Sequence, residues 1–115
     1  MRVLFVCNFN QHRGPTAERL LAGEHETRSA GLYSGTKLTT EHIEWADKIV
    51  VFSEPMIGEV VARFPTVQEK TILNFNISPY RCDDDDFEDL IKRKAVELLG
   101  KGEFPSQDEF QSDQR

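Results

Sequence analysis

A cysteine and an arginine lie six positions apart near the N-terminus, between an apolar segment and a segment that favours a helix. Cys7 directly follows the apolar residues 3–6, and Arg13 directly precedes Gly14-Pro15. If a parallel strand ends at Cys7 and a helix begins after Arg13, the loop lies where α/β sheets bind ligands. Its backbone N–H groups and the helix N-terminus would then form a site for an anion.

The same loop predicts nucleophilic chemistry at phosphorus. A positive field favours the thiolate of Cys7 over its thiol, and the planar fork of Arg13 can hold two oxygens of a phosphate. A nucleophilic sulfur below a bound phosphoryl group is the arrangement of a phosphatase that works through a cysteinyl phosphate. We therefore predict Cys7 and Arg13 as catalytic residues. The predicted phosphate-binding residues are Asn8, Phe9, Asn10, Gln11, His12 and Arg13.

Alternating strand-like and helix-like segments predict an α/β fold that would position this loop. Short apolar runs indicate strands buried in a parallel sheet, and Gly23 and Gly100 are expected to end the first and last helices. In the last helix, we expect the buried face to include Leu98. The predicted strands are 3–6, 26–30, 49–52 and 71–75, and the predicted helices are 14–23, 40–46, 54–64 and 84–99.

Composition sets limits on the class of protein. The 115 residues, 38% of them hydrophobic, suffice for one domain, which we place at 1–102, with a polar and disordered tail at 103–115. Two cysteines cannot form a disulfide framework or a four-cysteine zinc site. No apolar run approaches the roughly 18 residues of a membrane span, and the first residues lack a signal-peptide pattern. We therefore expect a cytoplasmic protein that binds no membrane.

The net charge of -6 has a local origin. Residues 83–89 carry six acids and no base, so the remaining 14 acids balance the 14 bases. The chain therefore has no basic face for nucleic acid, and we expect no nucleic-acid partner. Carboxylates also oppose the helix dipole in the first turn of a helix, so the acidic run has a structural explanation as well as a functional one.

The segment 3–18 resembles the active-site segment of the low-molecular-weight protein tyrosine phosphatases, whose pattern is Cys-x-x-Asn-x-x-Arg-Ser-Pro-x-Ala-Glu. The matching residues are Cys7, Asn10, Arg13, Pro15, Ala17 and Glu18. Weaker resemblances continue to about residue 99. They are Arg28-Ser29-Ala30-Gly31, residues 46–51, and Ser78-Pro79-Tyr80 with Asp86-Phe87-Glu88.

The resemblance implies a flavodoxin-like three-layer α/β fold with a four-stranded parallel sheet of order 2-1-3-4. It also implies two-step hydrolysis of phosphomonoesters, usually phosphotyrosine, without a metal or cofactor. By position, Cys7 would be the nucleophile, Arg13 the phosphate clamp, and Asn10 the residue that holds the loop in shape. Tyr33 and Tyr80 are the expected substrate-cleft residues. The implied partners are a phosphorylated protein or a small phosphomonoester, with inorganic phosphate or sulfate able to occupy the loop.

Two positions depart from the family pattern. Ser78 stands where the family has its general-acid aspartate, and a serine hydroxyl cannot protonate a leaving phenolate usefully. We predict that Asp83 supplies the acid, with Asp84 as the other candidate, although both could serve only as helix caps. Gly14 replaces a serine whose hydroxyl would contact the thiolate.

Two other functions remain open from the sequence. A protein with the Cys7/Arg13 cradle and no acid could bind phosphorylated ligands without turnover. Alternatively, Cys82 could pair with Cys7, which would make the protein a thiol-redox enzyme similar to arsenate reductases. The intact Cys7, Asn10 and Arg13 favour a hydrolase or a binding protein over the redox enzyme.

Overall fold

The computed structural model describes residues 1–100, so the predicted tail at 103–115 lies outside the described residues. Four strands alternate with four α-helices, as the sequence predicts. Two short 3₁₀ helices at Pro65–Glu69 and Pro79–Asp83 precede β4 and α4. The strands are β1 (Arg2–Cys7), β2 (Glu26–Gly31), β3 (Lys48–Val51) and β4 (Thr71–Asn74), and the helices are α1 (Arg13–Leu21), α2 (Thr40–Trp45), α3 (Glu54–Arg63) and α4 (Phe87–Leu99).

The four strands form one parallel sheet of order β2-β1-β3-β4, which confirms the predicted architecture. β1 lies inside the sheet, and its residues 3–6 are fully buried. The rings of Phe5, Phe52 and Phe75 meet at centroid distances of 5.8 to 6.5 Å. Because all strands run in the same direction, the loops that follow them meet at one edge of the sheet. No helix within residues 1–100 is long and apolar enough to cross a membrane.

Of the two glycines predicted to end helices, one does so and the other does not. Gly100 follows α4 with φ +79°, and its N–H donates to the carbonyls of Ala95 and Val96, as expected for a glycine after a helix. The prediction for Gly23 was wrong, because α1 ends at Leu21 and Ala22 keeps a right-handed conformation. The Leu21 carbonyl accepts from the N–H groups of residues 24 and 25, so a tight turn closes this helix without a left-handed residue.

The last helix begins later and buries less than the sequence predicts. α4 begins at Phe87 rather than at residue 84, because Pro79–Asp83 form a separate 3₁₀ helix. The buried side chains follow one stripe at i,i+4 spacing, and Leu98 lies beside that stripe with 37% of its surface exposed. The prediction of a buried Leu98 was therefore wrong, since α4 buries only one narrow stripe of side chains.

Candidate active site

The phosphate loop, residues 7–13, connects the end of β1 to the first residue of α1. The Cys7 side chain is 3% exposed at the base of this loop. Within residues 1–100, the N–H groups of residues 8–12 form no backbone hydrogen bond as donors. Free N–H groups before a helix N-terminus attract an anion, which is what the predicted anion site requires of this loop.

Arg13 is held in place by the elements on the far side of the loop. Its side chain is only 6% exposed, and its Nη1 donates to the Ile77 carbonyl at 3.0 Å. The guanidinium carbon lies 5.7 Å from the centroid of the Phe52 ring. Burial lowers the pKa of Arg13, and the charges of Cys7 and Cys82 oppose that shift. The cation is therefore fixed against the core and lies near both thiols.

Asn10 gives the phosphate loop its sharp turn. Its φ is +54°, a left-handed conformation that asparagine adopts more readily than most residues. Its buried Oδ1 has no hydrogen-bond partner within the described part of the chain. The predicted role of Asn10, to hold the loop in shape, fits this conformation.

A second loop at residues 31–35 packs directly against the phosphate loop. The N–H groups of Leu32 and Tyr33 donate to the carbonyls of Cys7 and Asn8 at 2.9 and 2.8 Å. Gly35 has φ +77°, and a Cβ there would lie 2.7 Å from the Asn10 Cβ. Glycine is therefore required where the two loops touch.

Gly14 lies close to the thiol, where little room remains for a side chain. A Cβ at position 14 would lie 3.2 Å from the Cys7 Sγ and 3.5 Å from the Ser29 Cβ. The Ser29 hydroxyl donates to the Glu18 carboxylate at 2.6 Å. The hydroxyl that the resemblance associates with position 14 therefore has no replacement from Ser29, whose hydroxyl already serves Glu18.

A cavity of about 50 Å³ opens above the thiol. One ordered water needs about 10 to 15 Å³ measured in this way, so the cavity admits an ion of phosphate size. Asn8 and Asn10 do not line the cavity, because the Asn8 carbonyl bonds to Tyr33 and Asn10 forms the turn. The lining residues are Cys7, Phe9, Gln11, His12, Arg13 and Pro79.

The segment 78–86 contains the candidate general acids. Ser78 begins the 3₁₀ helix, and its hydroxyl accepts a hydrogen bond from the Tyr80 N–H. Arg81 binds the carboxylates of both Asp84 and Asp86. Asp83 is exposed and forms no ion pair with another described residue, and it does not line the cavity. Of Asp83 and Asp84, Asp83 therefore has the carboxylate that is free to move.

Exposed aromatic side chains stand beside the cavity. Phe9 lines it, and the centroid of the Phe9 ring lies 6.2 Å from that of the half-exposed Tyr33. Tyr80 is 90% exposed and follows Pro79, which also lines the cavity. The structure thus brings the predicted cleft residue Tyr33 to the phosphate loop, whereas Tyr80 projects into solvent.

Sequence reasoning missed Arg63, which contacts the Tyr33 ring from α3. The only sequence signal was Glu59 four residues earlier, which is an ordinary helical ion pair. Cys82 is half-buried and lies close enough to Arg13 to raise the pKa of that arginine.

Comparison with known proteins points to one class. No family model matches the chain. A curated protein-arginine-phosphatase of Geobacillus stearothermophilus is 26% identical, over 84% of this chain and 95% of that protein. The structure of the YwlE arginine phosphatase from the same organism superposes with a TM-score of 0.69 at 25% identity, covering 85% of this chain and 92% of that one.

Tyrosine phosphatases are similar to the same degree. The structure of the Erwinia amylovora tyrosine phosphatase AmsI matches with a TM-score of 0.74 at 25% identity, covering 90% of this chain and 93% of that one. The tyrosine phosphatase Wzb from Escherichia coli K30, in complex with phosphate, has the same fold, with a TM-score of 0.70 at 21% identity over 84% of this chain and 94% of that one. These features define a phosphatase of low-molecular-weight type. The chain is similar to arginine and tyrosine phosphatases of this type.

Proposed function

We propose that this phosphatase hydrolyses phosphotyrosine-type monoesters through a cysteinyl phosphate on Cys7, without a metal or cofactor. The observation that carries the proposal is the buried cation of Arg13 beside a buried thiol, below a loop whose N–H groups at 8–12 donate to no backbone carbonyl of residues 1–100. Such a site stabilises the charge on the phosphoryl oxygens in the transition state. Binding of phosphate or sulfate in the loop follows from the same charges.

Each residue has a defined role in the two steps. In the first, the Cys7 thiolate attacks phosphorus and the bond to the leaving oxygen breaks, while Asp83 gives that oxygen its proton. In the second, water attacks the phosphorus, the sulfur–phosphorus bond breaks, and Asp83 takes a proton from the water. Arg13 and the N–H groups of the loop hold the three phosphoryl oxygens throughout.

The substrate is a phosphorylated protein or a small phosphomonoester with an aromatic leaving group. The Phe9 ring lines the cavity and the Tyr33 ring lies next to it, so the two rings offer a surface for a substrate ring. Phosphoarginine is the second candidate, because one relative is named a protein-arginine-phosphatase. Turnover of a phosphotyrosine peptide and of a phosphoarginine peptide of the same sequence would decide between them.

A hydrolysis assay tests the site directly. We expect Arg13→Ala to lose p-nitrophenyl phosphate hydrolysis by at least about a hundred-fold, since the clamp acts in the transition state. Arg13→Lys keeps the charge and loses the fork, so it should retain a small part of the activity. Arg19→Ala, which removes an exposed arginine bound to Glu88, is the matched control and should keep full activity.

Alkylation of the two thiols provides a second readout. Phosphate should protect Cys7 from iodoacetamide and leave Cys82 unaffected, because only Cys7 lines the cavity. Phosphate protection without turnover would indicate a protein that binds phosphorylated ligands only. Equal alkylation of both thiols with no phosphate effect would contradict the proposal. Since a catalytic thiolate must stay reduced, we also propose that the protein works in the cytoplasm.

A further inference from the structure

The guanidinium of Arg63 contacts three neighbours. Its Nη1 donates to the Leu32 carbonyl, and its Nε and Nη2 bind the Glu59 carboxylate at 2.9 and 2.7 Å. Its Cζ also lies 5.0 Å from the centroid of the Tyr33 ring. A guanidinium held by two acceptors while it covers a ring fixes the position of that ring.

The Tyr33 ring and the Phe9 ring connect Arg63 to the cavity. Tyr33 is half exposed, and its ring meets the Phe9 ring, which lines the cavity above Cys7. Arg63 and Glu59 lie on α3, whereas Tyr33 lies on the loop after β2. The side chains therefore form a continuous row from a helix to the mouth of the phosphate site.

We propose that Arg63 is a positioning residue that fixes the Tyr33 ring against Phe9 as a rigid wall for the aromatic part of the substrate. The proposal rests on the proposed function, since it assigns the specificity of that same site. Residues 33–37 are exposed and offer little packing to Tyr33. A ring that is already fixed loses less conformational freedom when the substrate binds, which increases affinity for ring-containing ligands.

Two phosphonate inhibitors distinguish the contribution of the aromatic wall to binding from that of the phosphate loop. Phenylphosphonate carries the ring and methylphosphonate lacks it, and both are measured as competitive inhibitors of p-nitrophenyl phosphate hydrolysis. We expect Arg63→Met to raise the inhibition constant of phenylphosphonate about five-fold, the size of one aromatic contact, and to leave that of methylphosphonate within two-fold. KM for p-nitrophenyl phosphate should rise similarly while kcat changes less than two-fold.

Three further variants show whether Arg63 acts through Tyr33. Tyr33→Phe keeps the ring and should have the same inhibition constant for phenylphosphonate as the unmodified protein. Tyr33→Ala should have the same inhibition constant as Arg63→Met. The double variant of Arg63→Met and Tyr33→Ala should be no worse than either single one, because both remove the same wall. Lysine cannot bind the Glu59 carboxylate and the Leu32 carbonyl at the same time, so Arg63→Lys should have an inhibition constant for phenylphosphonate between those of the unmodified protein and Arg63→Met. Arg19→Met, the matched exposed arginine, should change neither inhibition constant.

The outcomes distinguish this proposal from the one on which it rests. If the unmodified protein neither hydrolyses p-nitrophenyl phosphate nor binds phosphate, the proposed function fails. If it does both and Arg63→Met raises the two inhibition constants equally, or changes neither, the positioning role is overturned. A fully additive double variant would also overturn it, since Arg63 would then act independently of Tyr33.

Discussion

Arg13 is a buried cation, and no carboxylate within residues 1–100 forms an ion pair with it. One carbonyl and one aromatic ring compensate such a charge only in part. In the proposed mechanism, the Cys7 thiolate and the phosphoryl group of the substrate would supply the missing negative charge. At the scale of single residues, we therefore expect the arginine to make the loop a site for anions and to stabilise the proposed nucleophile.

Asp83 can be tested against its own neighbours in the acidic run. We expect Asp83→Asn to lower kcat for phenyl phosphate about a hundred-fold, because phenolate needs a proton to leave, and to change p-nitrophenyl phosphate hydrolysis far less. Asp85→Asn is the matched control, since Asp85 is also exposed and forms no ion pair with described residues. Equal effects on both substrates, or no effect, would remove Asp83 as the general acid.

At the scale of elements, the loop at 31–35 supports the phosphate loop through glycine. Gly35→Ala would place a Cβ 2.7 Å from the Asn10 Cβ and 2.9 Å from the Phe9 carbonyl, at φ +77°. We expect this variant to lose about 1 to 3 kcal/mol of unfolding free energy and to weaken phosphate binding. Urea unfolding and phosphate titration measure the two effects.

Gly58→Ala provides the opposite control. Gly58 lies within α3, and a Cβ there meets nothing within 4 Å. Alanine favours a helix interior, so the unfolding free energy of this variant should rise by about 0.5 to 1 kcal/mol, and the variant should bind phosphate normally. Loss of phosphate binding in both glycine variants would show that the packing of Gly35 on Asn10 is not the cause.

His42 makes the stability of α2 depend on pH. Its Nδ1 accepts from the Thr39 N–H at 3.0 Å, and its own N–H donates to the Thr39 hydroxyl at 3.3 Å. Burial lowers the pKa of His42, Arg28 acts in the same direction, and Glu41 opposes them. As pH falls below about 6.5, the unfolded chain takes up this proton first, so the contribution of His42 to stability is lost in acid.

We expect His42→Gln to keep most of the stability at pH 7.5, since glutamine is also suited to this position of a capping box. The variant should also show a weaker fall in unfolding free energy between pH 7.5 and 5.5. His42→Ala should lose about 1 kcal/mol at pH 7.5. An unchanged pH profile in both variants would contradict a role for this imidazole.

At the scale of the whole molecule, the phosphate site gathers groups from several parts of the sheet. The thiol comes from the end of β1, the clamp from α1, and the acceptor for Arg13 is the Ile77 carbonyl beyond β4. A ligand that binds there holds these elements together in the folded state only. Its binding free energy is therefore added to the stability of the fold.

Phosphate should accordingly raise the free energy of unfolding. At a concentration 100 times its dissociation constant, the expected gain is about 2.7 kcal/mol, measured by thermal unfolding. Sodium chloride at the same ionic strength controls for general screening of charge. Phosphate should stabilise Arg13→Lys less than it stabilises the unmodified protein. An equal increase in unfolding free energy from sodium chloride would show that phosphate acts by screening alone.

The sequence by itself determined the parts of this protein that depend on local pattern. Apolar runs predicted three of the four strands, and helical spacing with the residues that start and end helices predicted the four helices, because these patterns reflect which side chains an element must bury and where it can end. The fourth strand, at 26–30, was only a weak candidate, since it contains no apolar run. The spacing of Cys7 and Arg13 predicted the anion loop for a similar reason, since a short loop after a buried strand has few geometries. The predicted end of the first helix at Gly23 and the predicted start of the last helix at residue 84 were wrong, because a tight turn closes the first helix and a separate 3₁₀ helix precedes the last.

Only the tertiary structure decided which distant residues complete the site. Arg63 reaches Tyr33, and the Ile77 carbonyl reaches Arg13, across 30 and 64 positions of the chain. Arg81 engages Asp84 and leaves Asp83 free, although both carry the same chemistry in the sequence. Such contacts depend on how strands are ordered and how loops pack at one edge of the sheet. No local pattern encodes them, because their energy arises only when the elements have assembled.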